Sequence, residues 1–193
     1  MAQDSSQPDF WETRYLGGVK PWDSAGCIPA ALSAFVARQR PGREVLLPGC
    51  GAAYEVAYLA DAGFTPDGVD FSEAALAAAR DALGPYARHV RQGDVFALAG
   101  PYDWVYERAF LCALPPRLWS AYAEAMARLV RPGGWLAGAF FIAERPKGPP
   151  FGASRQLLND LLGDAFDCVE CEAMDDSLPV FSGGEFWMSW RRR

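Results

Sequence analysis

Histidine is almost missing from this chain: of 193 residues, only His89 is one. A histidine pair and a histidine-rich metal site are therefore ruled out. A serine–histidine triad would rest entirely on a residue that reads, in "YARHVRQG", as strand surface rather than as a base. Excess positive charge is missing too. Lys and Arg total 18 against 24 Asp and Glu, giving a net charge of −6, whereas a binder of phosphate backbones needs a basic face. No nucleic-acid partner is expected, and the one dense basic run, Arg191, Arg192 and Arg193, reads as a solvated tail. No apolar stretch is long enough to span a bilayer. The start, "MAQDSSQPDF", has no basic segment leading into an apolar one, as a signal peptide would. The expectation is a soluble, cytoplasmic protein with no membrane contact.

Cysteine is present in an odd and scattered set: Cys27, Cys50, Cys112, Cys168 and Cys171. That pattern suits buried thiols in a reducing compartment. Cys168 and Cys171 form a C-x-x-C, but "FDCVECEA" reads as a strand. Residues three apart on a strand face opposite sides, so no metal or redox pair is expected there.

What is present is an ordinary globular composition, 51% hydrophobic and 22% charged. "DFWETRYLGG" reads as a short helix and "VKPWDSAG" as a polar-aromatic loop. A further helix runs from near Pro29 through "AALSAFVARQ" and is broken at Gly42. Strands and helices then alternate: "REVLLPG" (strand), "AAYEVAYLADAG" (helix), "TPDGVDF" (strand), "SEAALAAARDALG" (helix capped by Ser72), "ARHVRQGD" and "YDWVYERAF" (strands). They continue with "PPRLWSAYAEAMARLV" (helix), "GGWLAGAFFIAE" (strand after an "RPGG" turn) and "SRQLLNDLLGD" (helix). "FDCVECEAM" and "FWMSWRRR" follow as strands with no helix between them. This order predicts an α/β fold: a single doubly wound, mostly parallel sheet with a terminal antiparallel strand. One domain over 1–193 is expected, with residues 1–40 an N-terminal helical lid and 41–193 a Rossmann-like core.

The stretch "LLPGCGAAYE" follows the first strand and opens a helix, the place where such sheets bind ligands. About 20 residues on, "GVDFSE" puts Asp70 at the tip of the second strand, where an acid grips a ribose diol. "QGDVF" puts Asp94 after the third strand, in position to accept from the exocyclic amine of adenine, and Phe71 and Phe96 could sandwich the ring. The dinucleotide fingerprint G-x-G-x-x-G/A is not met, because Gly49 and Gly51 are followed by Tyr54 at the third place, too bulky for close helix packing.

With these features in place the chain resembles class I S-adenosylmethionine-dependent methyltransferases. More narrowly it resembles the thiopurine S-methyltransferase superfamily, especially its halide/thiol methyltransferase branch. The matching stretches are "FWETRY", "KPWD", "VLLPGCG", "GVDFSE", "GDVF", "YERAFLCALPP" and "GPPF", and Leu47 stands where most class I members carry an acid. The resemblance implies S-adenosylmethionine as cofactor. It implies that Trp11, Tyr15 (tryptophan in the family) and Trp22 cover it, and that Gly49 contacts its methionine end within the Gly49–Gly51 loop. Asp70 would hold the ribose, with Asp94 and Val95 at the adenine beside Phe71 and Phe96. Arg108, in "YERAF", would reach either the cofactor carboxylate or an anionic substrate. Without the resemblance, Arg108 reads as a salt-bridge partner of Glu107 or Asp103.

The function implied is methyl transfer to a small soft nucleophile, a thiol before a thiopurine or halide. Such acceptors need alignment and desolvation more than a base, so no dedicated catalytic residue is expected. Phe110, Phe141 and Phe151 suggest an apolar acceptor pocket. Alternatives are O- or N-methylation of a small metabolite, with His89 as the sole histidine base, a non-catalytic cofactor-binding protein, or a nicotinamide-dependent oxidoreductase.

Overall fold

Alternation along the strands builds this molecule, a computed structural model describing residues 4–193. In β1 (Glu44–Pro48), Val45 and Leu47 enter one core cluster while Leu46 enters another. In β4 (Tyr102–Arg108), Trp104 and Tyr106 join the first and Val105 the second. Both faces of a strand bury apolar side chains, so the sheet must be covered on both sides. Helices α2 (Ala30–Gln39), α3 (Tyr54–Asp61) and α4 (Glu73–Leu83) cover one face, and α5 (Trp119–Leu129) and α6 (Arg155–Leu162) the other.

The sheet has seven strands. With β2 (Thr65–Asp70), β3 (Val90–Gln92), β5 (Val130–Phe141), β6 (Phe166–Ala173) and β7 (Glu185–Arg192), its order is β3-β2-β1-β4-β5-β7-β6. Strands β1 to β5 pair in parallel, and β7 runs antiparallel between β5 and β6. This is the Rossmann-like α/β sheet with a terminal antiparallel strand that the alternation of elements predicts. The order reverses between β1 and β4, which opens a crevice at their carboxyl ends.

Several local expectations are corrected. Residues Gly84–His89 form a 3-10 turn, so the strand expected over "ARHVRQGD" shrinks to three residues. His89 ends that turn, with Nδ1 3.2 Å from the Pro66 carbonyl. Helix α2 stops at Arg40, which adopts φ 45°, rather than at Gly42. Gly42 is needed for space: a Cβ there would lie 2.2 Å from the Asp103 carboxyl carbon. "RPGG" lies inside β5 as a bulge, where the register jumps between Tyr102↔Val130 and Trp104↔Trp135. Helix α2, grouped with the lid in the sequence reading, buries Leu32 completely and packs Phe35 within 5.6 Å of the Trp104, Trp135 and Trp187 rings.

The three terminal arginines are not a free tail. β7 runs through Arg192, Arg191 lies over the Trp135 ring, Arg192 donates to the Ala127 and Ala165 carbonyls, and Arg193 pairs with Asp167. The C-x-x-C geometry also differs. A bulge between Cys168 and Glu170 sets Cys168 opposite Trp190 and Cys171 opposite Met188. Trp190 and Met188 are two apart on β7 and share a face, so the inserted residue brings both cysteines to the same side.

Candidate functional site

The crevice at the β1–β4 switch point widens into a cavity of about 780 Å³. Its floor is the loop after β1. Three residues there adopt left-handed φ, Gly49 (57°), Gly51 (55°) and Ala53 (57°), which turns the chain sharply from strand into α3. Glycine is required for space as well. A Cβ on Gly49 would lie 2.5 Å from the Phe110 ring, and one on Gly51 2.4 Å from the Tyr15 hydroxyl. The loop forms a cradle in which a side chain at either glycine would strike Phe110 or Tyr15, two residues lining the same cavity.

Asp70, at the tip of β2 and only 7% exposed, holds that cradle. Its Oδ2 accepts from Gly51 N at 3.0 Å and its Oδ1 from Ser72 N at 2.9 Å. Burial pushes its pKa up, and the Ser72, Gly51 and Phe71 backbone donors oppose that shift. A carboxylate offers about four lone-pair sites, so two backbone donors leave acceptor capacity unused. Ser72 caps α4, accepting from Ala75 N at 3.1 Å as the sequence predicts.

The roof is α1 (Pro8–Leu16) and the loop that follows. Trp11 and Trp22 meet edge to face at 5.2 Å and Tyr15 and Trp22 at 6.1 Å, all three lining the cavity half-buried. Within α1 only Phe10 is fully buried. Burial raises the Tyr15 phenol above its ordinary pKa. The roof is tied down by Glu12, whose Oε2 accepts from Ser72 Oγ at 2.8 Å and Ala74 N at 3.1 Å. An acid is favoured at the amino-terminal end of a helix such as α4. A second strap is the Arg117–Asp4 ion pair. Neither tie was foreseen, since each joins residues far apart in sequence.

Asp94 follows β3 and accepts from Phe96 N at 2.9 Å, capping the short turn Val95–Ala97. Asp94, Val95, Phe96 and Phe71 all line the cavity. Every residue singled out from the sequence as cofactor-binding therefore faces one space.

Arg108 corrects an expectation. Its partner is neither Glu107 nor Asp103 but Glu55, in the first turn of α3. Tyr106 donates to the same Glu55 oxygen at 3.4 Å, and Arg108 Nη1 also reaches the Cys27 carbonyl at 3.4 Å. Burial alone would lower the arginine's pKa, but the Glu55 charge and hydrogen bond hold it above its ordinary value. Asp103 instead pairs with Arg131 at 2.7 Å. Glu107 points into the opposite core, accepting from Phe110 N, Leu111 N and the Tyr122 hydroxyl, and burial pushes its pKa up to about 7.

The cavity is also lined by Cys112, Leu114, Arg145, Pro149, Pro150, Val180 and Phe181. Of the phenylalanines expected there, Phe110 lines the cavity. Phe141 and Phe151 instead border a separate void of about 10 Å³, where Phe141 packs on Phe181 at 5.3 Å. The segment between β6 and β7, which supplies Leu178, Val180 and Phe181, carries no pattern that marks it as a pocket wall. Among the described residues no three His, Cys, Asp or Glu stand together as a metal site, and no helix is long and apolar enough to cross a membrane.

Comparison with known proteins agrees with this geometry. The family model for thiopurine S-methyltransferase matches residues 6–187. The chain is 27% identical over 191 residues to thiocyanate methyltransferase 1 of Arabidopsis thaliana, covering 94% of this chain and 84% of that protein. It is 29% identical over 194 residues to the thiopurine S-methyltransferase of Azotobacter vinelandii, covering 86% and 87%. In fold it is similar to magnesium protoporphyrin IX methyltransferase of Synechocystis PCC 6803, solved with bound S-adenosylmethionine. The TM-score is 0.74 at 20% identity, covering 100% of this chain and 99% of that one.

Proposed function

Since the chain belongs to the thiopurine S-methyltransferase family, we propose that it is an S-adenosylmethionine-dependent methyltransferase acting on a small sulfur nucleophile, a thiol in the first instance. The observation that carries this reading is the glycine cradle with the buried Asp70 carboxylate clamped to it. The cofactor supplies a sulfonium-bound methyl group, transferred by in-line displacement.

The chain's own residues supply the rest. Asp70 holds the ribose hydroxyls with its unused lone pairs. Asp94 and Val95 take the adenine edge, with Phe71 and Phe96 beside the ring. Gly49 and Gly51 let backbone approach the ligand closely. Trp11, Tyr15 and Trp22 exclude water from above and turn aromatic faces toward a cation. Loss of its hydration shell makes a bound thiolate more nucleophilic, and a thiolate, formed at an accessible pKa, needs no proton removed during transfer.

A sulfur acceptor fits the ionisable groups available. His89 bonds to the Pro66 carbonyl and does not line the cavity. Four carboxylates line the cavity and each is engaged: Asp70 and Asp94 by backbone donors, Glu55 by Arg108, and Asp23 by Lys20 and Ala25 N. Methylation of a hydroxyl, and often of a nitrogen, calls for a free base. The acceptor sits between the Cys112–Leu114 turn, the Pro149–Pro150 segment and the Val180–Phe181 wall.

The test is a screen with methyl-labelled cofactor against paired acceptors: hydrosulfide, thiocyanate, aryl thiols and thiopurines, each beside its hydroxyl or amino counterpart, with iodide included. Turnover on at least one sulfur acceptor and none on its counterpart is expected. Turnover confined to hydroxyl or amino acceptors overturns the reading.

A further inference from the structure

Away from the cavity, the bulge in β6 gathers two thiols. Residues opposite one another in a strand pair share a face. Cys168 and Cys171 stand opposite Trp190 and Met188, two apart on β7, so both sulfurs rise from the same side of the outermost strand. Cys168 is exposed, and Cys171 is half-buried against the core under α5 and α6. The Cys168 thiol donates to the Glu170 carbonyl at 3.6 Å. That carbonyl belongs to the peptide leading into Cys171, so the sulfur leans along the strand toward its neighbour. In a regular strand residues three apart face opposite sides, and the unpaired Val169 restores a two-residue spacing. Glu170 is turned to the other face, where it accepts from Trp187 and Ser189 and pairs with Arg38. Cys50 and Cys112 line the cavity, and Cys27 precedes α2.

A disulfide fits this pair poorly. Positions two apart on a strand are separated by about 6.6 Å, the upper end of the Cα spacing that a disulfide bridges, about 4.4–6.8 Å. Burial and the neighbouring Cys171 raise the Cys168 thiol above its ordinary pKa, whereas redox-sensing cysteines have low ones. Zinc fits no better. Its structural sites take four protein ligands, and among the described residues no third His, Cys, Asp or Glu joins the two thiols. Two sulfurs without a third ligand suit a soft ion that takes them in line, and thiolates favour Cu(I). With metal–sulfur bonds of about 2.3 Å, as in zinc sites, the sulfurs stay about 4.6 Å apart, a span that side chains on one face of a strand can meet.

We propose that Cys168 and Cys171 form a two-sulfur site for a soft monovalent ion of the Cu(I) type, on the sheet edge and separate from the methyl-transfer cavity. Binding forms two sulfur–copper bonds and releases the two thiol protons to solvent. Copper stays in its +1 state, and no electrons are exchanged.

The experiment is anaerobic competition between the full chain and a chromogenic Cu(I) chelator. Wild type is expected to withhold a single copper ion per chain. Cys168→Ser and Cys171→Ser should each surrender it to the chelator, while Cys27→Ser keeps it. Retention by either of the first two variants, or loss in the third, overturns the proposal. Because Cys171 is half-buried and its variant can lose stability, a measurement on wild type stands beside these. Phenylarsine oxide forms a stable adduct across two close thiols, exchanging its oxygen for two sulfurs with loss of one water. Intact mass and peptide mapping should find one adduct, bridging Cys168 and Cys171. An adduct at other cysteines, or none, overturns the proposal without any variant.

Discussion

Asp70→Asn tests the link between the cradle and the sugar. The aspartate accepts from Gly51 N at 3.0 Å and Ser72 N at 2.9 Å with different oxygens. An asparagine has one acceptor oxygen, so its amide nitrogen must face one of those two backbone N–H groups. A buried donor left unmatched costs about 1–3 kcal/mol, which for a chain of this size lowers Tm by roughly 2–12 °C. The ligand loses more. A hydrogen bond from a hydroxyl to a charged acceptor contributes about 1.5–3 kcal/mol, and 1.4 kcal/mol is about tenfold in affinity. Loss of one such bond predicts S-adenosylhomocysteine binding weakened by about 10–100-fold. Because loop distortion would weaken any ligand, the decisive assay is a cycle with the 2′-deoxyribose analogue. Wild type should prefer the parent ligand by about tenfold, and the Asp70→Asn variant by less than about threefold. If both proteins discriminate equally, Asp70 does not hold the ribose and the carboxylate serves only the backbone.

Gly51→Ala places a Cβ 2.4 Å from the Tyr15 hydroxyl at φ 55°. It should weaken S-adenosylhomocysteine by about tenfold or more, and adding Tyr15→Phe should recover part of that loss in calorimetry because the clashing oxygen is gone. Glu12→Gln removes the charge that ties the lid to α4. Stability to urea should change by less than about 1 kcal/mol, while stopped-flow dissociation of S-adenosylhomocysteine becomes faster; an unchanged rate would mean that Glu12 does not restrain the lid. Glu107 titrates near 7 in the folded chain against an ordinary 4.5. The folded state therefore binds the proton more tightly, and the stability this contributes is complete below about pH 4.5 and lost as pH rises through about 7. Urea unfolding should show a decline of about 3 kcal/mol across that window, and Glu107→Gln should flatten it. A wild-type profile already flat from pH 5 to 7 would refute the shift.

The fold was legible because its two signals are local. Short apolar runs buried on both faces, "REVLLP" and "YDWVYER", with helical stretches between them are enough to give a mostly parallel α/β sheet, and Ser72 before an alanine-rich run is enough to start α4. What failed were places where backbone departs from its period. The bulge at Cys168–Glu170 inserts a residue and carries both cysteines to one face. The bulge at "RPGG" turns an apparent turn into strand. Gly42 marks a packing contact with Asp103, and the helix ends two residues earlier. A periodic pattern cannot register an inserted residue until the partner strand is known.

The site divides in the same way. The cradle and Asp70 are consecutive strand tips, so spacing alone brings them together. Glu55 and Arg108 are 53 residues apart, and Glu12 and Ser72 60 apart, joined only when the chain has folded. Even so, half of the Arg108 question was answerable from the strand. Asp103 and Glu107 lie an odd number of residues from Arg108, so strand alternation turns them to the other face. There Glu107 meets the Tyr122 hydroxyl. An arginine ending β4 thus meets its acid on another element, Glu55 in the first turn of α3.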